Sequence, residues 1–154
     1  MEATLRIVHL LAAIVWVGGT VALVFVSVPP AQRLPGEQRA AMLRALGHRW
    51  RPLGWSALAI AIATGAWLAQ HDHAFDTTPT RFDVVLAVKG GLVGLLVAGA
   101  YLHDFVLGPG RARQIREGRQ QSLRRVLVVI GRVNLAITVT LPVLGALLSE
   151  FLQP

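Results

Sequence analysis

Four predominantly apolar runs, residues 5–28, 53–70, 84–107 and 126–148, dominate this chain of 154 residues. Each approaches or exceeds the ~17–25 residues that a helix needs to span ~30 Å of hydrocarbon. Their apolarity is continuous rather than alternating, which argues against the lipid-facing strands of a barrel. A hydrophobic share of 54% and a mean hydropathy of +0.56 fit a chain that resides in lipid. The expected fold class is therefore all-α, an integral membrane four-helix bundle in one domain over residues 1–154. Its helices are predicted over about 4–28, 53–70, 83–107 and 125–150, with very little outside the bilayer.

The net charge of +7 resembles a nucleic-acid signal until it is mapped. Arg33, Arg39, Arg44, Arg49 and Arg51 lie in the first connection, and Arg111, Arg113, Arg116, Arg119, Arg124 and Arg125 in the third. The second connection has only Arg81, beside Asp72, Asp76 and Asp83. The positive-inside rule then places connections one and three in the cytoplasm and both termini outside, in the periplasm of a bacterial inner membrane. The basic excess reads as topology and contact with anionic lipid. With no interleaving of basic and aromatic residues, no nucleic-acid partner is expected. The absence of cysteine excludes disulfides, thiolate metal sites and iron–sulfur clusters. The first run exceeds a signal-peptide core and lacks a good cleavage site at Val28-Pro29-Pro30, so it reads as a retained helix.

Pro29-Pro30 is expected to end helix one, with a turn at Leu34-Pro35-Gly36. Residues 37–51, with arginines at 39, 44, 49 and 51, predict a short amphipathic helix on the cytoplasmic surface, continuous with helix two or separate from it. Pro52 opens or kinks helix two, Gly108-Pro109-Gly110 ends helix three, and Pro142 kinks helix four. A weak repeat aligns residues 54–60 with residues 131–137 and brings His9 near the counterpart of Lys89, as two repeated hairpins would. Gly90, Gly94 and Ala98, and likewise Gly91, Leu95 and Gly99, form small-residue stripes that admit another backbone and turn Lys89 toward protein. That contact could be intramolecular or could build a homo-oligomer.

Lys89 is the residue most in need of explanation, because a charged group within a membrane span is costly and marks a functional site by default. His9 is the natural partner. It lies about five residues inside the outer end of helix one and Lys89 about six inside that of helix three, roughly 8–9 Å deep for both. His9 shares a face with Ala12, Ala13, Trp16 and Thr20, small residues and one flat aromatic against which a planar cofactor could lie. A neutral histidine is a common haem ligand, and a deprotonated lysine can be the second. Arg6 and Arg81 stand near the same surface and could pair with haem propionates. Either residue alone also fits a plain interfacial role, with Lys89 reaching outward.

The stretch from His9 to Gly19, with its His, Trp, Gly spacing, resembles the first helix of CopD-like (copper-resistance D) membrane proteins and of HemJ-type protoporphyrinogen oxidases. Lys89 is similar to the helix-three lysine of that superfamily. His103-Asp104-Phe105-Val106-Leu107-Gly108-Pro109 resembles a CopD-like helix-three ending, and Arg132-Val133-Asn134 the polar start of its last helix. The resemblance implies a four-helix protein binding haem b, with His9 and Lys89 as ligands. Thr20 and Val21 stand where HemJ-type proteins carry a tyrosine and Pro-Arg, and Leu135 where an acidic residue is expected. These departures weaken the implied oxidase activity more than the implied cofactor binding.

Two further constellations stand out. His71, Asp72 and His73, with Asp76 nearby, offer imidazole and carboxylate to copper at the periplasmic face, although such loop residues are also ordinary solvated caps. With only Met1 and Met42, the chain has no methionine path for Cu(I). At the cytoplasmic end His48, His103, Asp104, Arg132 and Asn134 form a candidate structural polar network, with a second haem site or a proton route as the sharper reading. Trp50 reads as an interface anchor, and Trp16, Trp55 and Trp67 as packing or interfacial aromatics. The leading expectation is a haem-b protein with a redox or haem-handling role, its partners the bilayer, haem, and a redox protein or quinone. The alternative is copper uptake or resistance. No nucleophile–base pair is visible, so any turnover would be that of a haem-dependent oxidoreductase.

Overall fold

A computed structural model describes residues 2–71, 81–107 and 120–151. These residues are all-helical apart from a turn at 33–35. They include four helical stretches long and apolar enough to cross a membrane, Glu2–Gln32, Gly36–His71, Arg81–Val106 and Arg125–Glu150. The predicted fold class is thereby met. The chain divides into two compact units, Met1–Asp76 and Thr77–Pro154, each a helical hairpin.

In the first hairpin α1 (Glu2–Ala22) runs into a π-helical turn (Leu23–Ser27) and a short α2 (Val28–Gln32), then returns as α3 (Gly36–His71). In the second, α4 (Arg81–Tyr101) ends in a π-helical turn (Leu102–Leu107) and packs against α5 (Gln120–Phe151). Large apolar side chains such as Ile7, Leu10, Leu11, Val84 and Val143 remain exposed. Lipid chains solvate such a surface as well as protein would, so burial is confined to narrow seams where helix backbones approach closely. Ala12, Trp16, Ala57, Leu58 and Leu68 form the first seam, and Leu96, Ala100, Leu127, Ile137 and Leu148 the second.

Pro29-Pro30 does not end helix one as expected. Both prolines sit in the first turn of α2, inside a continuous helical stretch from Glu2 to Gln32. The disturbance appears upstream instead. The Val28 N–H donates to Leu23 O, five residues back, because the proline ring crowds the carbonyl four residues before it and widens the ladder. The helix stops at 33–35, where the N–H groups of Arg33 and Leu34 bond Pro30 O and Ala31 O at 3.1 and 3.2 Å. The amphipathic stretch 37–51 is continuous with the second span, and Pro52 lies inside α3.

The two hairpins repeat each other at a displacement of 80 positions. His71 closes α3 as Phe151 closes α5, and each π-helical turn, at Leu23–Ser27 and Leu102–Leu107, is followed two positions later by a proline of the sequence, Pro29 and Pro109. Buried positions coincide: Trp16 with Leu96, Ala57 with Ile137, Leu58 with Thr138, Leu68 with Leu148. The register suggested by aligning 54–60 with 131–137 is therefore corrected by three positions. A three-residue slip keeps nearly the same helix face, so an apolar alphabet matches almost as well in the wrong register.

Candidate functional site

His9 lies on the α1 face turned to α3, half-buried. Its Nδ1 stands 2.9 Å from Ala61 O and 3.1 Å from Thr64 Oγ1. A carbonyl only accepts, so Nδ1 carries a ring proton and donates it toward Ala61 O. Thr64 is buried and donates its own hydroxyl to Ile60 O at 2.7 Å, which leaves Oγ1 able to accept from His9. Gly65 makes room for the ring, since a Cβ there would stand 2.9 Å from Cε1 of His9. A histidine oriented by a backbone carbonyl through one nitrogen is the usual arrangement of a metal-ligating imidazole.

Lys89 occupies the counterpart of His9 in the second hairpin, and its Nζ rests against α5 where Gly145, the counterpart of Gly65, leaves a gap; a Cβ on Gly145 would be 3.4 Å from Nζ. Among the described residues the Lys89 amine has neither a hydrogen-bond acceptor nor a carboxylate partner. Lys89 is also the only lysine of the sequence, every other strongly basic side chain being arginine. Only an amine, never a guanidinium at accessible pH, can give up its proton and coordinate a metal. That contrast was available in the sequence and identifies Lys89 independently of its depth.

Trp16 is buried and leans on Trp50, ring centroids 6.3 Å apart at 36°. Its Nε1 has no hydrogen-bond partner among the described residues, nor has the buried Thr20 hydroxyl one turn on. Trp50 is not simply an interface anchor, because its indole lies against Gly19 of α1 and Gly54 of α3 and fills the seam between them. Arg6 and Arg81 are exposed near the ends of α1 and α4. The glycine stripe of α4 is only partly used: Gly90, Gly91 and Gly94 are exposed, with nothing within 4 Å of a Cβ at any of them, whereas Gly99 receives the Asn134 amide of α5. Lys89 faces α5 all the same, through the glycine on the other helix.

Of the proposed copper ligands, Asp72 and His73 lie outside the described residues, as does Asp76. His71 is exposed at the end of α3, stacked on Trp67 with centroids 3.5 Å apart, and its Nδ1 donates to Trp67 O at 3.1 Å. Among the described residues no three histidine or carboxylate side chains gather as a metal site. Of the set His48, His103, Asp104, Arg132 and Asn134, His103 Nδ1 meets Asp104 Oδ1 at 3.0 Å. His48 and Arg132 are exposed, on α3 and α5 respectively, and Asn134 sits over Gly99.

Comparison with protein-family models, with curated proteins and with solved structures finds no match. The chemistry of the site therefore rests on its own residues.

Proposed function

We propose that this chain is an integral protein of the bacterial cytoplasmic membrane, with both termini periplasmic, that holds one b-type haem through His9 and Lys89 and serves a redox or haem-handling role. The observation that carries the reading is the His9 imidazole, whose ring is oriented through Nδ1 by Ala61 O and Thr64 Oγ1 in the way that metal-ligating histidines usually are. The donor set suits haem iron: a neutral imidazole, and an amine without an acceptor or counterion among the described residues. Bound there, haem would supply one-electron chemistry; the residues of the chain hold it, orient the imidazole and exclude water. Trp16 offers a flat wall on the His9 face, and Arg6 and Arg81 are candidate partners for the propionates.

Purified protein from haem-replete cells is expected to show a Soret band and a pyridine haemochrome of the b type. His9→Ala should abolish or deeply alter the spectrum, and Lys89→Ala should shift it, while Lys89→Arg should behave like the alanine variant. A clean preparation without a Soret band removes the proposal. Tight Cu(II) binding in place of haem, lost in a His71→Ala/His73→Ala variant, would transfer the function to copper handling.

A further inference from the structure

Arg132 is a charge that the packing of the second hairpin leaves unexplained. It lies seven residues beyond Arg125, about 10 Å along a helix apolar enough to cross a membrane. Leu127 and Ile137, each five residues away, are buried in the seam with α4. Five residues turn the helix by about 140°, so the exposed Arg132 lies on the face turned away from α4. Among the described residues neither Arg132 nor the equally exposed Arg125 has a hydrogen bond or an ion pair. Of the acidic side chains described in this hairpin, Asp83 and Glu150 sit at its other end. Asp104 is engaged by His103 Nδ1 at 3.0 Å. Pro52 holds the equivalent place in the first hairpin, so the charge is no part of the repeated scaffold. A guanidinium does not shed its proton, and within a span it is costly without a counterion.

We propose that Arg125 and Arg132, on the outward face of α5, seat the headgroup of one anionic glycerophospholipid. Seven residues are close to two turns, so the two arginines share that face. Helix side chains lean toward the N-terminus, and a long arginine stem can carry its head that way to the membrane surface at the Gln120 end of α5. The guanidinium fork takes two phosphate oxygens at once. Val128, Val139 and Val143, exposed on the same side, give the acyl chains an apolar track. The net charge of the lipid follows from the surroundings. A zwitterionic headgroup brings a cation of its own to two guanidiniums, whereas an acidic one does not. The sequence from 111 to 125 offers no relief, with six arginines against Glu117 alone. The inference stands apart from the haem reading, because neither arginine belongs to the proposed haem site.

The test is native mass spectrometry of the full chain in detergent, titrated with dioleoylphosphatidylglycerol or with dioleoylphosphatidylcholine. One phosphatidylglycerol should bind about fivefold more tightly than phosphatidylcholine. Arg132→Gln, which faces away from the packed seam and needs no repacking, should remove that preference. Arg132→Lys keeps the charge, loses the fork and should retain part of it. Arg39→Gln, at an exposed site of α3, should leave it intact. Equal affinity for the two lipids, an undiminished preference in Arg132→Gln, or an equal loss in Arg39→Gln would each overturn the proposal. So would a wild-type dimer that Arg132→Gln dissolves, since the counterion would then come from a second copy. Lipid preference is read with or without bound haem, so failure here leaves the spectroscopic test of the haem ligands untouched.

Discussion

One methyl group, added at Gly65 or at Gly145, distinguishes a clamped contact from a loose one at equivalent positions of the two hairpins. Alanine is favoured over glycine by about 1 kcal/mol in a helix interior. At Gly145 the new Cβ would meet Lys89 Nζ at 3.4 Å, the far end of a side chain with four rotatable bonds. Lys89 can yield, so Gly145→Ala is expected to raise stability by about 0.5–1 kcal/mol. At Gly65 the Cβ would stand 2.9 Å from Cε1 and 3.3 Å from Nδ1 of His9. That ring is held by Ala61 O at 2.9 Å and cannot retreat without stretching the bond. Loss of one partly buried hydrogen bond costs about 1 kcal/mol, and forcing a methyl into a filled site about 1–3 kcal/mol. Together they outweigh the propensity gain, and Gly65→Ala should lose about 1–3 kcal/mol. Reversible unfolding of the haem-free protein in mixed micelles, followed by circular dichroism against rising sodium dodecyl sulfate, measures the difference. Equal stability of the two variants, or the reverse order, would refute the idea that His9 is clamped while Lys89 is not.

Thr64→Val keeps the shape of a buried residue and the His9 bond to Ala61 O, removing only the Oγ1 contacts. It should cost about 1 kcal/mol in the same unfolding assay and weaken haem retention by about tenfold through looser orientation of the ring. Gly19→Ala places a methyl inside the Trp50 indole and should destabilise the first hairpin by about 1–3 kcal/mol, with a red shift in tryptophan emission as Trp50 is expelled; an unshifted spectrum would contradict the packing described. The chain has no cysteine, so Arg44→Cys gives a unique label at an exposed site of α3. It should react with a membrane-impermeant maleimide only after the cells are opened, and labelling of intact cells would reverse the proposed topology.

Lys89 shows how far the residues alone carry the site. Its depth in a span and its status as the sole lysine mark it without coordinates, because the cost of a charge in hydrocarbon depends only on what surrounds it along one helix. What it touches does not follow. The stripe of Gly90, Gly91 and Gly94 beside it suggested the packing face, yet those positions are exposed and the glycine that seats the amine is Gly145, on another helix. His9 behaves likewise. Its candidacy came from its neighbours on α1, whereas the orientation of its ring is decided by Ala61 and Thr64 of α3. Trp50 read as an interfacial aromatic because it borders an arginine-rich stretch; only packing shows that it plugs a seam. Of the copper constellation, Asp72 and His73 lie outside the described residues.

The number of spans and the all-helical class were settled by the sequence on its own, because the length of an apolar run against the thickness of hydrocarbon is a property of each segment separately. Even the π-helical turn at Leu23–Ser27 has a local cause in the prolines that follow it. Tertiary structure alone decided the repeat register, the glycine seats of His9 and Lys89, and the placing of the Asn134 amide over Gly99. Those depend on how each helix is rotated and shifted against its partner, and a nearly uniform apolar alphabet carries too little contrast between faces to encode a rotation. Backbone proximity supplied the missing information.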